Sequence, residues 1–199
     1  MDKTQAYMQN LKMEEVPWHR LSTAYGRATD FPGYFNTIWD MADLESVQTA
    51  LSEIVSNIEH QDTLWHATPF TLIFLIHIFE HAIPEIGKNE CADYIVGEML
   101  DIFELIVGCI RFYEEELGHD EQLPDFSDLL QEDYLGSETY DEDDEEDFER
   151  FEEGDFDVFY SFCYYSGQAL LLCKPMLKKL ENTPFQEMAE HVDEIIVQS

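Results

Sequence analysis

The sharpest candidate for chemistry in this chain is His77-Ile78-Phe79-Glu80-His81, an H-x-x-E-H string. On a helix, histidines four apart share a face and can hold a zinc ion, with the glutamate beside them as a base. A further carboxylate ligand must then arrive from a later helix. Glu98, Asp101 and Glu104 all qualify, which discriminates little in a chain with 44 acidic residues. The families that use this string are mixed α/β, so zinc hydrolysis through His77, Glu80 and His81 is a remote alternative.

Other chemistry is weaker still. Asp141-Glu142-Asp143-Asp144-Glu145-Glu146-Asp147 offers many oxygens, but it lacks the glycine and the spaced glutamate of an EF-hand loop. Such a run binds cations weakly and without selectivity. His60 and His66 flank Trp65 in a connecting segment and read either as a small polar site or as ordinary loop histidines. There is no G-x-S-x-G string, no cysteine in an electropositive setting and no glycine-rich phosphate loop. The expectation is a protein that is not an enzyme and uses no cofactor and no metal.

Charge is the stronger signal. Residues 111–157 hold twenty-two Asp or Glu against two Arg, a net of −20 within a total of −34. Solubility of a small domain asks for a net charge of about 2–8 in magnitude, and excess charge repels itself. Nucleic acid and anionic membranes need lysine and arginine clusters, so both are poor partners. A strongly basic protein is a good one. Tyr140 and other aromatics lie within the acidic block, and aromatic anchors inside a charged rim suit a protein interface. Alternatively, the same set, Phe126, Tyr134, Leu135, Tyr140, Phe148, Phe151 and Phe156, docks the block onto the protein's own core.

Helices must position these groups. Leu44, Val47, Leu51, Ile54, Val55 and Ile58 keep helical spacing behind a capping Asp43. Thr68-Pro69 reads as the cap and first residue of a second helix, apolar on every face and therefore central. A third fits 91–117, and a fourth 156–174, where Pro175 must kink or restart the chain. Thr183 and Gln186 suggest a capping box opening a last helix. Strict alternation and Asn-Gly or Asp-Gly turns are missing, which predicts no strands. The reading is all-α: antiparallel helix pairs in a short α-solenoid or an irregular bundle. Within a single domain, 1–42 forms a cap segment, 43–118 core helices, 119–155 an acidic loop or insert, and 156–199 C-terminal helices. Four cysteines without C-x-x-C spacing read as buried thiols, and the lack of a signal-like N-terminus predicts a cytoplasmic protein.

One segment resembles a known group. Trp18, Leu21, Ala24, Tyr25, Gly26, Ala28, Asp30 and Pro32 match W-x-x-L-x-x-A-Y-G-x-A-x-D-x-P, followed by His60-Gln61-Asp62-Thr63 and Ala67-Thr68-Pro69-Phe70. This pattern, over residues 16–76, resembles bacterial HEAT-like helical-repeat proteins of the polymorphic-toxin immunity type. The resemblance implies a helical scaffold that binds and neutralises a toxin. Read physically, Gly26 suits a positive φ, Asp30 a cap and Pro32 a first helical turn, while Trp18 and Tyr25 seal the end of a stack. Together with the charge, it implies an immunity protein against a cognate basic toxin domain of nuclease type, acting by steric and electrostatic occlusion. The partner contacts are expected at Glu114, Glu115, Glu116, Tyr140, Asp141, Asp143, Asp144, Glu146, Asp147, Glu149, Glu152 and Glu153. The competing expectation is an acidic DNA mimic that inhibits nucleic-acid-binding proteins.

Overall fold

Helix α4 (Ala67–Ala82) has almost no polar face to turn to water, and the rest of the chain is arranged around it. Its residues from Ala67 to Ile76 are all buried. The computed structural model describes residues 3–116, 123–139 and 156–196. In order, these form α1 (Lys3–Asn10), α2 (Phe31–Asp40), α3 (Leu44–Ile58), α4, α5 (Glu90–Glu116), α6 (Phe156–Leu170), the short α7 (Lys174–Leu177) and α8 (Gln186–Ile196). Helices α2, α3, α5 and α6 all pack on α4, α8 packs on α5, and α1 reaches α6. In a solenoid each unit touches only its neighbours. Here N-terminal and C-terminal elements share one central helix, so the all-α architecture is an irregular bundle. The window Ala67–Glu85 is long and apolar enough to cross a membrane, yet 78% of it is buried inside the fold.

Local rules place several boundaries. Asp43 Oδ2 accepts the Ser46 amide at 3.1 Å and caps α3 as expected. Pro175 restarts the chain: α6 tightens into a 3-10 turn over Leu171–Cys173 before α7 begins. Two other starts need correction. Thr68 lies inside the first turn of α4, where its hydroxyl donates to the Ile58 carbonyl at 2.6 Å and accepts the Trp65 amide at 2.9 Å. It fastens the α3–α4 connection instead of capping a helix. At the C-terminal end, α8 begins at Gln186, whose Oε1 accepts the Asn182 amide at 2.9 Å. The reach-back expected of a capping box exists, but it closes on Asn182 and not on Thr183.

Two small hairpins also correct the expectation of no strands. Ser22–Thr23 (β1) pairs with Gly26–Arg27 (β2), and Glu59–His60 (β3) with Thr63–Leu64 (β4), both antiparallel. The second turn places Gln61 at φ 52° and Asp62 at φ 62°, a pair of left-handed residues of the kind Asn-Gly normally supplies. In the first, Gly26 holds φ 127°, which a side chain would strain. All four cysteines are free and buried.

Candidate functional site

The two large aromatics of the N-terminal motif do different things. Trp18 is core: its indole N–H donates to the Met13 carbonyl at 3.0 Å, and its ring meets Phe31, Phe35 and Phe74. Tyr25 instead stands 65% exposed, its hydroxyl 3.0 Å from His60 Nδ1. Asp30 precedes α2 without a side-chain capping bond, whereas Pro32 does sit in the first turn.

Between them lies a feature that the sequence patterns do not reveal. Arg20 is a buried cation, 7% exposed, that grips the chain more than a hundred residues away. Its Nη1 and Nη2 each donate to Glu132 at 2.7 Å, Nη1 also reaches Glu138 at 2.8 Å, and Nε donates to the Gly136 carbonyl at 2.7 Å. The Gly136 amide returns a bond to the Arg20 carbonyl at 3.0 Å. Planar, forked donation of this kind is why arginine and not lysine suits the position. The two carboxylates raise the Arg20 pKa further above its already high value, chiefly through the Glu132 hydrogen bond.

Arg27 lies alongside, donating at 2.9 Å to both the His19 and Ser137 carbonyls. A Cβ on Gly136 would come within 2.6 Å of that guanidinium, so the absence of a side chain there permits the approach. Arg20 and Arg27 are two of only ten cations in the chain, and that scarcity is the signal by which the sequence could mark them.

The same segment is fastened at its other end. Phe126 and Leu129 are buried in a 3-10 turn, with Phe126 stacked on Phe70 at 4.7 Å and edge-on to Tyr7 at 5.9 Å. His66, also buried, donates Nε2–H to the Leu129 carbonyl at 2.8 Å and stacks on Phe162. Its Nδ1 has no partner among the described residues. Burial lowers the His66 pKa to about 4, so the ring is neutral. His60 and His66 therefore face different neighbours and form no joint polar site.

Thus part of the acidic block is architecture. Residues 123–139, expected to lie in a loop or insert, carry buried Phe126, Leu129 and Leu135, and Tyr134 packs against the core. For these residues the inward alternative holds. Tyr140, Asp141, Asp143, Asp144, Glu146, Asp147, Phe148, Glu149, Phe151, Glu152 and Glu153 lie outside the described residues. Glu114, Glu115 and Glu116 form the last turn of α5, an unfavourable place for negative charge on a helix dipole. Their side chains, and that of Phe156, are likewise outside the description.

The H-x-x-E-H string does lie on one helix, but its members are engaged separately. His81 stacks flat on Trp39 at 3.9 Å, Glu80 accepts Lys179 Nζ at 2.8 Å, and His77 is half-buried against Phe74. Burial also lowers the His77 pKa. Among the described residues the metal-capable grouping is another one: Glu59, Asp62 and Cys109, with ligand atoms within 4.8 Å of one another. Burial, helped by both carboxylates, pushes the Cys109 thiol up to about 12.

Helices α3 and α5 leave an open groove of about 380 Å³ between them. Its lining is mixed apolar and acidic, with Val55, Ile102 and Leu105 beside Glu98 and Asp101. No lysine or arginine is among the described residues that line it. Comparison of the chain with family models, curated proteins and solved structures gives no match.

Proposed function

We propose that this protein is an inhibitor of immunity type, which binds a cognate basic toxin domain of nuclease type and neutralises it by steric and electrostatic occlusion. One observation carries the reading: 44 acidic residues face ten Lys or Arg, so internal pairing leaves −34 for something outside to answer. Where the described chain does pair charge, it uses few cations, and Arg20 takes two carboxylates by itself. The remaining acids supply a field that steers a basic partner and speeds its association, with a strong dependence on salt. Carboxylates in a cationic groove would take the place of substrate phosphates. The N-terminal resemblance supports the immunity role and a bacterial source, and the four free, buried cysteines fit a reducing, cytoplasmic setting.

The test pairs the chain with the product of the adjacent upstream gene, because immunity genes usually sit beside their toxins. Replacing Asp141, Asp143 and Asp144 with Asn, and Glu146 with Gln, is expected to weaken the complex at least tenfold and flatten its salt dependence. Unchanged affinity would remove the acidic block from the mechanism. Equal, salt-labile capture of several unrelated basic proteins would instead favour the DNA mimic.

A further inference from the structure

We propose that the α3–α5 groove is the seat for an amphipathic, lysine- or arginine-bearing helix of the basic partner. This rests on the reading above and adds where the partner's apolar contact is made. The groove runs beside α5 from Tyr94 to Leu105, about 16 Å at 1.5 Å per residue, which matches three turns of a docked helix. Its floor is apolar: Ile102 is buried and Val55 half-buried, while Leu105 stands 37% exposed at the rim. Phe112, 49% exposed, continues the same strip one heptad further along α5. Between them, a methyl group at Gly108 would meet nothing within 4 Å, so the strip is smooth and open there. An apolar floor between two helices is the shape that takes the i, i+3, i+4, i+7 anchors of a third.

The rim selects the sign of the occupant. Glu98 and Asp101 border the floor with no cation among the lining residues. Four of the chain's ten cations are engaged elsewhere: Arg111 donates to the Ile195 carbonyl at 3.1 Å, Lys179 holds Glu80, and Arg20 and Arg27 hold the 132–138 segment. A second copy laid on this face would bring acid against acid. The run 141–147, with seven carboxylates and no cation, would be repelled in the same way. A partner with basic residues flanking apolar anchors satisfies both the floor and the rim.

The probe is a fluorescent synthetic helix of about 14 residues, with Leu at i, i+3, i+4 and i+7 and Lys elsewhere. A scrambled peptide of identical composition is the control. Fluorescence anisotropy with the full-length protein is expected to show at least tenfold preference for the ordered peptide. Leu105→Ser is expected to remove that preference, and Asp101→Asn to weaken binding about fivefold, with circular dichroism confirming both folds. The preference should survive in the variant neutralised at Asp141, Asp143, Asp144 and Glu146. Equal binding of ordered and scrambled peptides, or an unchanged Leu105→Ser, would overturn the groove while leaving charge-driven capture of a basic partner intact. Failure of both peptides to bind at low salt would sink the basic-partner reading as well. A dimer in light scattering that Leu105→Ser dissolves would place a second copy in the groove and also overturn the proposal.

Discussion

Glu132 and Glu138 in the Arg20 clasp, and Glu98 and Asp101 beside the α3–α5 groove, are the same chemistry in opposite circumstances. The first pair closes on a buried arginine and holds a distant segment in place. The second pair borders an apolar groove without a cation among its lining residues. The contrast teaches that acidity alone does not mark a functional surface. A carboxylate answered by a cation from within is part of the architecture, whereas one with no cation among its described neighbours, beside exposed Leu105, is where the proposed partner would find its counter-charge.

The largest expected effect tests how firmly the first region is fastened, through its His66 anchor. The His66 pKa falls from 6.5 unfolded to about 4 folded, so below pH 6.5 the unfolded chain binds the extra proton. Stability is therefore complete above pH 6.5 and declines as pH falls toward 4, by up to about 3 kcal/mol. Other carboxylates titrate in the same range, so the measurement is the difference between wild type and His66→Gln in urea melts at several pH values. A difference that does not change with pH would mean that His66 is not the buried neutral anchor described.

Next comes the other anchor. Glu132→Gln with Glu138→Gln removes the charge compensation of the Arg20 guanidinium; because both carboxylates are largely exposed, the cost is about 1–2 kcal/mol in thermal or urea unfolding. Gly136→Ala is smaller: its methyl displaces the Arg27 guanidinium and disturbs bonds to the Ser137 and His19 carbonyls, for about 1 kcal/mol. The smallest effect is expected in the groove. Asp101→Asn and Leu105→Ser should each change stability by less than about 0.5 kcal/mol, because both side chains are exposed. A loss there as large as at Glu132 and Glu138 would erase the distinction between the two regions.

What could be read from the sequence follows from the range of each interaction. The α3 cap, the extent of α5 and the central place of α4 rest on residues within a few positions of one another, and periodicity and Asp43 carry them. Thr68 differs from its expected role because its decisive partner, the Ile58 carbonyl, lies ten residues upstream in another helix. The Gln61-Asp62 turn is hidden because neither residue advertises a positive φ as glycine does. Arg20 is the extreme case: its partners stand 112 to 118 positions away, and no local pattern announces them. The α3–α5 groove is equally invisible in the sequence, where Glu98 and Asp101 suggest zinc ligation instead.

The buried cysteines carry a practical consequence. Cys109 and Cys173 have thiols pushed up to about 12 by burial, so neither presents a thiolate at neutral pH. Alkylating reagents should consequently modify them only when the bundle opens. The rate at which these two sulfurs become labelled is then an intrinsic clock for opening events, one that needs no engineered probe. Followed with and without a bound partner, it would report whether occupation of the surface slows the breathing of the interior.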